Sequence, residues 1–200
     1  NSGTTDFLYS VCFPSESTGY ICTDNGKVLK TTNAGTNWII QTTSVTGILY
    51  SICFPDNNTG YSSCTSGKII KTTNGGLNWF TQQTASLSQF FAITFINTNS
   101  GSVTGGGGII FSTTNGGNNW NQISSGNNDG VISAKFTDNL TGYAAGYNGI
   151  ILKTTNEGNN WNTLNTGSTT EFWTLFPVNR DIVFTGGGQG IILRTTNGGN

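Results

Sequence analysis

Thr31-Thr32-Asn33-Ala34-Gly35 returns as Thr72-Thr73-Asn74-Gly75-Gly76, Thr113-Thr114-Asn115-Gly116-Gly117, Thr154-Thr155-Asn156-Glu157-Gly158 and Thr195-Thr196-Asn197-Gly198-Gly199, always 41 residues further on. Trp38, Trp79, Trp120 and Trp161 keep the same phase. So do Gly26, Gly67, Gly108, Gly149 and Gly190, and the series Tyr9, Tyr50, Phe91, Ile132 and Trp173. Several anchors in phase without one insertion mark a tandem array of a single supersecondary unit. Five full units need slightly more than the 200 residues present, so the last is expected to lack its outer strand.

Working outward from the Asn turn, each unit reads as four short strands. Leu8 to Phe13 alternates Tyr9, Val11 and Phe13 with Ser10 and Cys12, the period of two of a half-buried strand. Pro14 ends it, having no N–H for the ladder. A second strand is expected over Tyr20 to Thr23, and a tight turn at Asp24-Asn25-Gly26. Lys27 to Thr31 forms the third strand, and a fourth begins near Trp38. No segment carries a helical period. Four strands in about 40 residues, with an aromatic per unit, predict an all-β protein: a β-propeller of five 41-residue four-stranded blades, forming one repeat domain over residues 1–200.

Composition agrees. Glycine supplies 29 residues and proline three, and charged residues are only 8%, so solubility rests on Asn, Ser and Thr. A net charge of −1 without a basic run argues against nucleic acid, and no apolar stretch is long enough to span a bilayer as a helix. The chain begins at Asn1 without methionine, which points to a processed product or a piece of a longer chain. Few charges and many polar residues lean toward an extracellular, cell-surface or periplasmic protein.

Cys12, Cys22, Cys53 and Cys64 all lie in the first two units. Cys12 and Cys53 are equivalent by the repeat, whereas Cys22 and Cys64 are one residue out of step. At most one of the pairs Cys12–Cys22 and Cys53–Cys64 can then be directly opposed in a common hairpin register. Disulfides within blades and buried small thiols both remain open at this point.

Thr31-Thr32-Asn33-Ala34-Gly35-Thr36-Asn37-Trp38 resembles the Asp-box of sialidases, sortilins and xyloglucan-cleaving hydrolases. The longer stretch from Phe136 through Gly142-Tyr143-Ala144-Ala145-Gly146 to Asn156 resembles a repeat of photosystem II stability/assembly-factor-like propellers and of related secreted bacterial repeat proteins. The resemblance spans the chain and implies the fold; these repeats serve many roles. The box residues Asn33, Gly35, Trp38, Asn74, Gly76, Trp79, Asn115, Gly117, Trp120, Asn156, Gly158 and Trp161 read as fold-forming: a side-chain amide caps the turn, glycine takes its strained position, and the indole packs between sheets.

Catalysis finds little support. A sialidase needs an arginine cluster, and only Arg180 and Arg194 are present. No histidine can serve as base, the nine acids are scattered, and no metal-ligand or phosphate-loop spacing occurs. No cofactor is expected. If the chain binds something, the copies should differ there, and they differ most in the turn between second and third strands and in the linkers. Those segments nominate Asp24, Asn25, Asp129, Tyr147, Asn148, Glu171 and Gln189 as partner-contacting. The expectation is a non-enzymatic scaffold that binds another protein. The alternatives are a lectin, opposed by the expectation that only Tyr147 is free to stack on sugar, and, less favoured, a glycoside hydrolase fragment.

Overall fold

The computed structural model describes residues 2–200, which gather into two compact units with their boundary at Thr98/Asn99. In the first unit β1 (Leu8–Cys12), β2 (Gly19–Thr23), β3 (Lys27–Thr31) and β4 (Ile39–Thr42) pair in that order, each neighbour antiparallel. β5 (Leu49–Cys53), β6 (Gly60–Cys64), β7 (Lys68–Thr72) and β8 (Phe80–Gln83) repeat the meander, and β9 (Phe90–Phe95) follows. The second unit holds β10 (Gly101–Gly105), β11 (Ile109–Thr113) and β12 (Asn121–Ser124), then β13 (Val131–Phe136), β14 (Gly142–Gly146), β15 (Ile151–Thr154) and β16 (Asn162–Leu164). It ends with the three-stranded meander β17 (Phe172–Pro177), β18 (Val183–Gly187) and β19 (Ile192–Thr195). The strands fall where the sequence places them, and the last copy stops at its third strand. This is an all-β, propeller-type repeat.

One repeated contact holds successive copies together. Tyr20 on β2 is fully buried and its ring stacks on Phe54 of the next copy at 3.7 Å between centroids. Its hydroxyl donates to the Gly75 carbonyl at 3.1 Å. Opposite Tyr20 in the ladder, Lys30 passes over the same ring and donates to the same carbonyl at 2.7 Å. Tyr143 and Lys153 repeat this in the second unit, with Lys153 reaching the Gly198 carbonyl at 2.8 Å. In copies one, two and four a buried aromatic face and a cation above it form a socket for the following copy.

In the first strand Val11 and Phe13 are exposed, whereas Ile52 and Phe54, at the same repeat positions of the second copy, are buried against the first sheet. Cys12, on the opposite face, packs against that same core. The alternation holds in both copies, and what differs is the sheet that the second copy has to pack on. A β-bulge interrupts it earlier: the register slips between Leu8 and Ser10, and again between Leu49 and Ser51, Val131 and Ser133, and Phe172 and Thr174. The extra residue, Tyr9 in the first copy, is turned out of the pleat.

The cysteines are all free. Cys12 lies opposite Tyr20 and Cys53 opposite Tyr61, so neither blade aligns its two thiols, and the disulfide alternative is corrected. Cys22 and Cys64 instead join the core between the first two sheets. Burial pushes both thiols up, Cys64 to about 12, against about 8.5 for a free thiol. Native protein is expected to leave these two thiols unlabelled by a disulfide-exchange reagent at pH 8, while denatured protein titrates all four at once. Because the folded-state values are raised, their contribution is complete below about pH 8.5 and is lost as pH rises, since only the unfolded chain then ionises. Melting at pH 7 and pH 9.5 checks the sign: the alkaline midpoint should be lower.

Candidate binding surface

Each repeat has two unlike ends. At one, the Asn turn between third and fourth strands is tied to the turn between first and second: the N–H groups of Ala34, Gly75, Gly116, Glu157 and Gly198 donate to Ser17, Asn58, Asn99, Leu140 and Asp181. Within the Asn turn, the Thr31 hydroxyl donates to Asn33 Oδ1 and accepts from the Gly35 N–H, and Asn33 Oδ1 also accepts from the Asn37 N–H. Asn74, Asn115 and Asn156 make the same set. Their oxygens are consumed by the backbone. Trp79 and Trp161 are buried, and Trp38 and Trp120 are half-buried, with Trp38 edge-on to Phe13.

At the other end, the turn between second and third strands meets the segment entering the first. Asp24, Thr65, Tyr147 and Gly188 donate their N–H groups to the carbonyls of Phe7, Ile48, Gly130 and Glu171. In copies three to five this turn is a single 3-10 turn, with Asn148 and Gln189 in the left-handed region at φ of 53° and 55°.

Several residues singled out from the sequence have partners here. Asn25 donates to Asp6 at 2.8 Å, and Asn148 donates to Asp129 at 2.6 Å. These are the same two repeat positions, and the other copies carry neither partner of the pair. Lys27 completes the first pair with an ion contact of 2.9 Å to Asp6, and that bond holds the Asp6 carboxyl below its ordinary range. Asp24 accepts from the Phe7 N–H. Tyr147 stands edge-on to Trp173 at 6.0 Å, whereas Gln189 and Glu171 are exposed. Asp24 and Asn25 therefore lie in the first unit, and Asp129, Tyr147, Asn148, Glu171 and Gln189 in the second.

A more continuous feature went unassigned from sequence. The bulge residues are Tyr9, Tyr50, Ile132 and Trp173, members of the in-phase series noted above. In the first unit Tyr9 is edge-on to Tyr50, and Tyr50 to Phe91, each at 5.5 Å. Tyr9 is 45% exposed, and Tyr50 and Phe91 are half-buried. In the second unit Trp173 is 50% exposed. A bulge turns a side chain out of the pleat, and in the first unit Tyr9, Tyr50 and Phe91 form a row of partly exposed rings. The sequence signal was the 41-residue recurrence of an aromatic at a strand position with no core role.

The acids are arranged for structure. Asp138 caps the N–H groups of Leu140 and Thr141 and meets Arg180 at 3.2 Å, and Asp56 caps Asn58 and Thr59. Among the described residues no three His, Cys, Asp or Glu gather as metal ligands, and no helix is long and apolar enough to cross a membrane.

Residues 34–129 match the family model for the photosynthesis system II assembly factor YCF48. The chain is a BNR-like β-propeller repeat that resembles this family. No curated protein matches it. YCF48 from Cyanidioschyzon merolae superposes with a TM-score of 0.74 at 17% identity, over 98% of this chain and 71% of that one. YCF48 bound to D1 peptide gives a TM-score of 0.56 at 18% identity, over 99% and 80%. An ancestral GH74 enzyme gives 0.70 at 20% identity, over 98% of this chain but only 32% of its own. At such identities the superpositions establish the fold. The extracellular, cell-surface or periplasmic location expected from composition is corrected by these matches: the family matched, and two of these structures, are assembly factors of a photosystem.

Proposed function

We propose that the chain is a non-catalytic protein-binding propeller that takes an extended peptide across its aromatic row. The carrying observation is the succession Tyr9, Tyr50 and Phe91, three edge-on rings on successive first strands with surface facing solvent. Partly exposed aromatics offer large apolar area at small entropic cost and dominate binding energy at protein surfaces. Polar turns, with Asp24 and Asn25 in the first unit and Tyr147, Asn148, Asp129, Gln189 and Glu171 in the second, supply hydrogen-bonding variety. A structure of similar fold, YCF48, was solved with a peptide bound, which supports the same use of the scaffold.

A lectin is the second reading, favoured by one observation: Trp173 is half exposed beside Tyr147 and the Asp129–Asn148 pair, so more than one ring is available to a sugar. A randomised peptide array and a glycan array, each probed with wild type and with Tyr9→Ala/Tyr50→Ala, separate the two. Peptide signals that fall at least about tenfold in the double variant, without loss of the folded spectrum, are expected. Peptide signals unchanged by the variant, or signals confined to glycans, would overturn the proposal.

A further inference from the structure

A cleft of about 440 Å³ opens in copy three, between the turn that joins its second and third strands and the outer strand β12 with its following linker. Its walls are Gly107, Gly108, Gln122, Ser124, Asn127 and Asn128. Three differences from the other copies shape it. At the tip of the turn stands Gly107, where the others carry Asn25, Ser66, Asn148 and Gln189, and a Cβ there would meet nothing within 4 Å. In copies one, two and four a threonine hydroxyl ties the linker to the turn: Thr43 donates to the Gly26 carbonyl, Thr84 to Gly67 and Thr166 to Gly149. Copy three has Ser125 at that place, and its hydroxyl donates to the Asn127 carbonyl at 2.9 Å instead. Lastly, Gln122 and Asn128 stand where copy one has Ile40 and Thr46, copy two Thr81 and Leu87, and copy four Thr163 and Thr169.

The walls are polar without being charged. Among the described residues no Asp, Glu, Lys or Arg lines the cleft, and Asp129, next in the chain, gives its carboxylate to Asn148. The side-chain amides of Gln122 and Asn128 are exposed and bond no described residue. Asn127 spends its side-chain oxygen on the Asp129 N–H, which leaves its amide donors. An amide offers a donor and an acceptor side by side, and a hydroxyl both gives and takes, so neighbouring hydroxyls match such a wall. Ile109 and Ile123, each half-buried, add apolar ground for the C–H face of a ring. A charged ligand would find no counter-ion here, and the volume falls within the roughly 300–1,000 Å³ of small-molecule sites.

We propose that this cleft binds a neutral hexopyranose unit. The Gln122, Asn127 and Asn128 amides bond adjacent ring hydroxyls, the Gly108 carbonyl accepts from another, and the ring rests on the two isoleucines. The bare glycine turn is what lets the ring approach the backbone. The cleft shares no residue with the aromatic row or with Trp173, so it stands independently of the function proposed above and of the lectin reading.

The test is saturation-transfer NMR of the 200-residue protein with the methyl glycosides of glucose, galactose and mannose. At least one should bind saturably, with a Kd of about 1 mM, and Gln122→Ala/Asn128→Ala should weaken it about tenfold or more. Gly107→Asn gives copy three the side chain of copies one and four, in a left-handed conformation that Asn148 already holds at φ of 53°. It should close the mouth and remove the signal. Trp173→Ala and Tyr9→Ala/Tyr50→Ala should leave binding unchanged. Should Gly107→Asn not fold, the double variant, which alters exposed side chains only, decides alone. No saturable binding of any of the three glycosides, equal binding to the folded cleft variants, or loss of binding in Trp173→Ala or the tyrosine variant would overturn the proposal.

Discussion

Gly149→Ala is expected to destabilise the protein by about 3 kcal/mol or more, and Gly167→Ala by only about 1 kcal/mol. Both glycines have left-handed backbone, with φ of 72° and 66°. An L-residue there carries a penalty of about 1–2 kcal/mol in either case. What differs is the neighbour. A Cβ on Gly149 would lie 1.9 Å from the carbonyl oxygen of Ser168, in the linker to the next copy, while a Cβ on Gly167 meets nothing within 4 Å. The linker must move, and with it the bond from the Thr166 hydroxyl to the Gly149 carbonyl. At about 2–4 °C per kcal/mol for a chain of this size, the midpoints should separate by several degrees. Equal shifts in a thermal melt would show that backbone strain alone sets the cost.

Tyr20→Ala should cost about 3–5 kcal/mol and Tyr20→Phe about 1 kcal/mol, measured as a change in denaturation midpoint at constant slope. The alanine variant removes a fully buried ring that stacks on Phe54 and lies under Lys30, leaving a cavity. The phenylalanine variant keeps the stack and loses one hydrogen bond. It strands no acceptor, because Lys30 still donates to the Gly75 carbonyl. The protein holds its own version of this experiment: the fifth copy carries Phe184 with Arg194 over its ring, the same pairing without the hydroxyl. A Phe variant as damaging as the Ala variant would move the weight of the socket from the stacked ring to the hydroxyl.

The fold was legible because its determinants are local and recur. Thr31, Asn33 and Gly35 close a turn within five residues, Pro14 and Gly26 punctuate strands, and the 41-residue spacing multiplies each weak signal. The start of the first strand was not legible. Alternation sets Tyr9 on one face with Val11 and Phe13, but a bulge is one extra residue that no side-chain pattern announces, and it takes Tyr9 out of the pleat. The same bulge hides the aromatic row, so the sequence offers Tyr147 alone as a ring free to bind. Divergence among copies nominates Asn25, Asn148 and Asp129, but divergence cannot reveal that the first two each hold a carboxylate from the preceding linker. Such pairing depends on two segments meeting 19 residues apart.

The repeated Tyr–Lys socket also bears on how the chain finds its native order. Copies one, two and four carry the same pair, Tyr20 with Lys30, Tyr61 with Lys71 and Tyr143 with Lys153, so an aromatic arriving from a neighbouring copy meets interchangeable acceptors. A chain refolding from denaturant can then mate sheets one repeat out of step and wait in that trap. Copy three breaks the degeneracy: it carries Ser102 and Ser112, hydrogen-bonded to each other at 3.0 Å, with Ser112 donating to Gly158. At this copy an incoming ring finds two small hydroxyls and no aromatic face, as Phe136 of the fourth copy does in the native order. The serine pair thus marks one position in an otherwise periodic assembly.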